Sequence, residues 1–187
     1  SIPGPVQNEE FGSSVAVSGK FLVVGAPGTG TYSGRVRLYK LVNKTGAIEW
    51  AGRGVQAGKS SGERFGYAVD ISGDRVIVGA PYKGGVAPDK FCDPNSIERA
   101  HCPDDTKTNP AKTGSVSIYK IGRDAQNAEQ LVLEREMNPK KWLSQPDGDT
   151  RFGESVAIDG MIAVIGMPGK KGFRTFPDDA NVGAVYV

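Results

Sequence analysis

The sequence predicts an all-β protein built from three similar antiparallel sheets, and three observations carry that prediction. A seventeen-residue phrase recurs without insertion or deletion: "FGSSVAVSGKFLVVGAP" at 11–27, "FGYAVDISGDRVIVGAP" at 65–81 and "FGESVAIDGMIAVIGMP" at 152–168. Self-similarity in a fixed register marks a repeated structural unit. Each phrase holds two apolar stretches parted by a short turn signal, and a further apolar run follows each, from Gly34, Gly114 and Gly183. With 26 Gly and 12 Pro, the chain suits short strands joined by turns better than long helices.

The elements follow in order. In the first strand of each unit the apolar residues alternate, so that Val15 and Val17, Val69 and Ile71, and Val156 and Ile158 share one face. The pairs Ser18-Gly19, Ser72-Gly73 and Asp159-Gly160 are expected to form two-residue hairpin turns. The second strands, "FLVVGA", "VIVGA" and "AVIGM", are nearly continuous apolar runs, the pattern of a strand covered on both faces. The Gly within each lets a neighbouring backbone come close. Third strands are expected in "GRVRLYKL", "GSVSIYKI" and "GAVYV", and fourth strands at 48–55 and 129–136. Such a four-stranded antiparallel sheet, stacked radially, is a β-propeller blade. The chain then reads as one propeller-like domain over 1–187. Blade one spans about 11–57, blade two about 65–137 with an insertion at 82–113, and blade three about 152–187. The third is incomplete, because Val187 falls within its third strand. Phe11, Phe65 and Phe152 are expected to pack the core and to have no active role.

Composition narrows the function. A net charge of +2 argues against a dedicated nucleic-acid binder, whose positive charge gathers on one face. No apolar run approaches the roughly 20 residues of a membrane-spanning helix, and no stretch reads as a secretory leader, so neither is expected within these residues. The chain opens on Ser1 rather than Met, which fits a processed or excised chain. Cys92 and Cys102 in "FCDPNSIERAHC" suit a disulfide stapling a polar loop, against the alternative of two free thiols. "NKT" makes Asn43 a glycosylation acceptor. Together these point to a secreted or cell-surface protein.

The three "FG…GAP" phrases resemble FG-GAP repeats, the units of the seven-bladed propeller in integrin alpha-chain heads. They are more similar still to the plainer repeats of secreted bacterial and protist proteins. The resemblance covers residues 11–187, although the third phrase reads "GMP". It implies the propeller fold more strongly than any one function, since one fold hosts many sites. Integrin-type repeats often carry a DxDxDG calcium loop in the first hairpin of a blade. Calcium takes six to eight oxygens, and a turn such as Ser18-Gly19 offers no carboxylate. No cofactor is therefore expected. The weak candidates for a cation are Asp147 and Asp149 in "PDGDTRFG", which read equally as a solvated turn. Propellers usually close with four to eight blades. Three blades imply either part of a larger propeller or a subunit whose residues 1–10 complete the last blade of another copy, head to tail, in a ring or filament.

Up-and-down strand order places the loops after the second strands on one rim: 28–33, about 82–113, and 169–182. The functional expectation is a non-enzymatic adhesion or interaction module that binds a protein or glycan through this rim. Phe91, Phe173 and Phe176 would be apolar anchors, with Lys171 and Arg174 orienting acidic groups. The alternative is that these loops pack only over the propeller mouth. A hydrolase finds no support. His101 adjoins Cys102 in the stapled loop, and the "PDD" pairs at 103–105 and 177–179 read as solvated turns.

Overall fold

Each repeated phrase folds into a tight antiparallel hairpin. A computed structural model describes residues 7–42, 47–84, 113–139, 150–169 and 183–187. The hairpins pair β1 (Ser14–Ser18) with β2 (Phe21–Ala26), β5 (Ala68–Ser72) with β6 (Arg75–Ala80), and β9 (Val156–Asp159) with β10 (Ile162–Met167). The turns sit one residue later than the sequence suggests. Ser18 pairs with Phe21, Ser72 with Arg75 and Asp159 with Ile162, so the central residues are Gly19-Lys20, Gly73-Asp74 and Gly160-Met161. Each leading Gly has φ between 54° and 60°, the arrangement of a type II′ turn with Gly first. The shift returns Ser18, Ser72 and Asp159 to the strands.

β3 (Arg35–Val42) and β4 (Ala47–Ala57) complete the first sheet, and β7 (Ser115–Arg123) and β8 (Glu129–Met137) the second. The third sheet holds β11 (Ala184–Tyr186) beside β10 and β9. Among the described residues it has no fourth strand. Sheet order is sequential, as an up-and-down blade requires.

The sheets stack face to face. Val23, Val36 and Leu38 of the first meet Phe65, Val69, Ile71, Val76, Val78 and Tyr119 of the second in one core. Ile77 and Val116, on the other face of the second, meet Phe152, Ile158, Ile165 and Met167 of the third. β6, which lies between the other two sheets, thus buries both faces as its unbroken apolar run foretells, whereas β10 leaves Ile162 60% exposed on the face that meets no described sheet.

Glycine sets the spacing between sheets. A β-carbon on Gly25 would run into the carbonyl of Gly66, and one on Gly79 into the carbonyl of Gly153. The Gly of one blade's second strand is therefore the seat for the FG turn of the next. Parallel bridges Gly34↔Phe65 and Gly114↔Phe152 lock the same junctions. Nearer the inner strands, Ser14 Oγ accepts the Val69 N–H (2.8 Å) and Ser18 Oγ the Gly73 N–H (3.0 Å). Asp70 Oδ2 accepts from Ile158 (2.8 Å) and Ser72 Oγ from Gly160 (3.0 Å).

Each FG phenylalanine meets a tyrosine of its own blade edge to face. The ring centroids lie 6.3 Å apart for Phe11–Tyr39, 6.2 Å for Phe65–Tyr119 and 5.6 Å for Phe152–Tyr186. Phe65 and Phe152 are buried in the core. Phe11 is only half-buried, because its face of the first sheet meets no further sheet among the described residues.

Candidate functional site

The residue before each FG phenylalanine turns the chain with positive φ: 53° at Glu10, 51° at Arg64 and 52° at Arg151. That conformation is uncommon outside Gly, and around Arg64 backbone hydrogen bonds join the turn to the first blade. Arg64 N–H donates to Tyr32 O (2.9 Å), Phe65 N–H to Ser33 O (3.0 Å) and Gly62 N–H to Thr31 O (3.0 Å). The loop after β2 is thereby zipped to the turn before β5, and the Arg64 side chain is placed among aromatic rings.

Its guanidinium carbon lies 5.1 Å from the centre of the Tyr32 ring and 5.7 Å from that of Tyr82. In a cation–π contact of this kind the ring's negative face attracts the guanidinium. Tyr67 meets Tyr82 edge to face at 5.9 Å. Arg64 also pairs with Glu10 at 3.6 Å, bringing a carboxylate from the preceding blade. Burial pushes the Tyr82 hydroxyl above its ordinary range, Tyr67 and Glu154 push the same way, and Arg64 and Arg151 oppose them. The four side chains Tyr32, Arg64, Tyr67 and Tyr82 are all partly exposed. They form a half-open patch of ring faces and hydroxyls beside the Arg64 guanidinium.

The repeat does not require this patch. Where the second phrase has Tyr67, the first has Ser13 and the third Glu154; where it is followed by Tyr82, the others are followed by Gly28 and Gly169. Sequence reasoning passed over these residues because it compared the phrases for likeness. Their departure from the repeat was the available signal.

A charged network supports the patch from below. Glu63, almost fully buried, accepts the Lys59 N–H through Oε1 and lies 4.0 Å from Lys83 Nζ. Lys83 Nζ also donates to Glu136, and that hydrogen bond holds the Glu136 carboxyl below its usual range. The residue after Tyr82 is thus tied to the outer strand of its blade. The counterpart of Glu63 in the first blade, Glu9, is also buried and pairs with Arg37 (3.4 Å) and Arg35 (3.6 Å).

The binding residues expected from sequence, Phe91, Lys171, Phe173, Arg174 and Phe176, lie outside the described residues. So do Cys92, Cys102, Asn43, His101, Asp147 and Asp149. Tyr82 stands just before the 85–112 segment that holds Phe91, so the patch is on the rim from which that segment departs.

A cavity of about 650 Å³ opens between the second and third sheets, lined by Ile118, Met137, Phe152, Ile158, Ile165 and Tyr186 among others. Between the first and second sheets the matching space is filled from β7 and β8 by Tyr119, Ile121 and Leu131. The third sheet has no described residue at those positions, so the cavity follows from the sheet's short extent.

Sequential antiparallel sheets stacked through glycine seats define a set of β-propeller blades. The chain belongs to the FG-GAP repeat family, whose profile matches residues 5–39, 56–90 and 144–187. Comparison with curated proteins gave no match. Repeats of this family serve generally in protein and ligand interaction.

Proposed function

We propose that the chain is a non-enzymatic, extracellular interaction module that binds a protein or glycan partner through the rim bearing Tyr32, Arg64, Tyr67 and Tyr82. The observation that carries this reading is the patch itself: three tyrosines around an arginine, in a place where two of the rings have no counterpart in the other repeats. Tyr and Arg are the residue types that most often dominate binding energy. Tyr offers large contact area at low entropic cost, and Arg a cation for acidic or hydroxyl groups. The 85–112 and 170–182 segments, with Phe91, Lys171, Phe173, Arg174 and Phe176, extend the same surface in this reading. The described residues contain no helix long and apolar enough to cross a membrane.

The test is binding of the fluorescent chain to a glycan array and to cell surfaces with and without protease treatment. The doubly substituted chain Arg64→Ala, Tyr82→Ala is expected to bind at least about tenfold more weakly, the effect of losing a binding hot spot. Loss of signal on protease treatment identifies a protein partner, and array binding a glycan. Unchanged binding by a variant with a wild-type melting profile contradicts the assignment of this rim.

A further inference from the structure

The rim patch is the middle of a longer stripe that follows the three FG turns. Glu10, Arg64 and Arg151 hold one position in the three repeats, and Glu10 of the first reaches Arg64 of the second. Arg151 pairs with Glu154 within the third, and both lie near enough to the Tyr82 hydroxyl to act on it, as Arg64 does. Three tyrosine rings and two ion pairs make up this stripe.

Its charge is balanced. Arg64 stands 3.6 Å from Glu10 and Arg151 3.2 Å from Glu154, and the four side chains are between 24% and 40% exposed, within reach of a ligand. The ammonium groups beneath are committed to Glu136, with Lys59 at 3.4 Å and Lys83 hydrogen-bonded. An acidic ligand meets as many carboxylates as guanidiniums along the stripe, so no net field draws it in. The core of a protein–protein interface is depleted of charge, whereas here ion pairs stand among the rings. A sugar ring suits both features. Its apolar C–H face lies on an aromatic ring, and its neighbouring hydroxyls, each donor and acceptor, span a guanidinium and the paired carboxylate.

One of the rings is fixed in advance. Tyr32 has φ 56°, a conformation rare for a bulky residue. Its carbonyl accepts the Arg64 N–H at 2.9 Å, and the carbonyls on either side accept from Gly62 and Phe65. Conformations of this kind persist only where the surroundings fix them, and they gather at ligand sites. An anchor already in place loses little freedom on binding.

Resting on the reading of this rim as the binding surface, we infer that its ligand is a neutral oligosaccharide. Sugar rings stack on the tyrosines, and the two guanidinium–carboxylate pairs bind the hydroxyls. Glu10 and Glu154 repel acidic sugars, so they set the specificity.

A glycan array carrying neutral glucose, mannose and galactose oligosaccharides beside sialylated, sulfated and uronic-acid chains tests it, with the full chain as probe. Wild-type chain is expected on the neutral sugars only. Its signal should change less than about twofold between about 50 and about 500 mM salt, because screening weakens only charge attraction. Tyr82→Ala should lower that signal at least about tenfold. Tyr82→Phe, which keeps the ring and loses one hydroxyl, should stay within about threefold of wild type. Should Tyr82→Ala lose the wild-type melting midpoint, Tyr67→Ala takes its place. Glu10→Gln combined with Glu154→Gln should gain signal on the acidic chains. Neutral-sugar binding that survives both Tyr82→Ala and Arg64→Ala overturns this inference and the rim reading together. Binding that needs these residues but goes to acidic glycans, or to a protease-sensitive surface partner, overturns the inference alone. So does an array silent for the wild type, or a double Gln variant that gains nothing on acidic chains.

Discussion

Replacing Gly79 with Val is expected to cost about 3 kcal/mol or more, or to abolish folding, the upper range for overpacking a core. Nothing in the backbone conformation of Gly79 demands glycine. The demand comes from the Gly153 carbonyl, which occupies the space a β-carbon would need. Both colliding groups are main chain, so no rotamer change relieves the clash and the second and third sheets must part. Gly25→Val should act alike at the first junction, against Gly66. Denaturant midpoints read this directly, with exposed Val17→Thr as the control expected to stay within about 0.5 kcal/mol. A Gly79 variant as stable as that control would mean that the sheets do not meet there.

Truncating the FG phenylalanines should show a graded loss. Phe65→Ala and Phe152→Ala each remove a buried ring, 4% and 0% exposed, and are expected to cost about 3–5 kcal/mol. Phe11→Ala removes the same contact with a tyrosine of its own blade, but its ring is half-buried, so a loss of about half that size or less is expected. Chemical denaturation of the three variants checks the ranking. Equal losses would show that the contact within each blade, rather than the junction between blades, stabilises these rings.

The alternation in β1, β5 and β9 and the unbroken apolar runs of β2, β6 and β10 were legible because burial on one face or both dictates them. The role of the second-strand glycines was legible too, since a Gly inside an apolar strand has few other uses. The turns were misplaced by one residue because Ser18 and Ser72 look like turn formers, whereas their hydroxyls serve the neighbouring blade. The positive φ of Glu10, Arg64 and Arg151 could not be read, because none of these residue types favours it; in all three turns the residue's carbonyl accepts the N–H three residues on. Glu63 drew no notice as one acid in a connecting loop and is buried, its carboxylate accepting the Lys59 amide four residues earlier in the same loop. The rim patch joins Arg64, Tyr67 and Tyr82 through the β5–β6 hairpin and Tyr32 through the stacking of the first blade, proximities that no single stretch of sequence shows.

Amide hydrogen exchange resolved to single residues tests the stack most directly. Val69 and Gly73 donate to side chains of the first sheet, while Val15 and Gly19 hold the same places on a face that meets no further described sheet. The stacked arrangement requires slow exchange at Val69 and Gly73, fast exchange at Val15 and Gly19, and selective acceleration of Val69 by Ser14→Ala. Equal exchange at the two pairs of sites would contradict it.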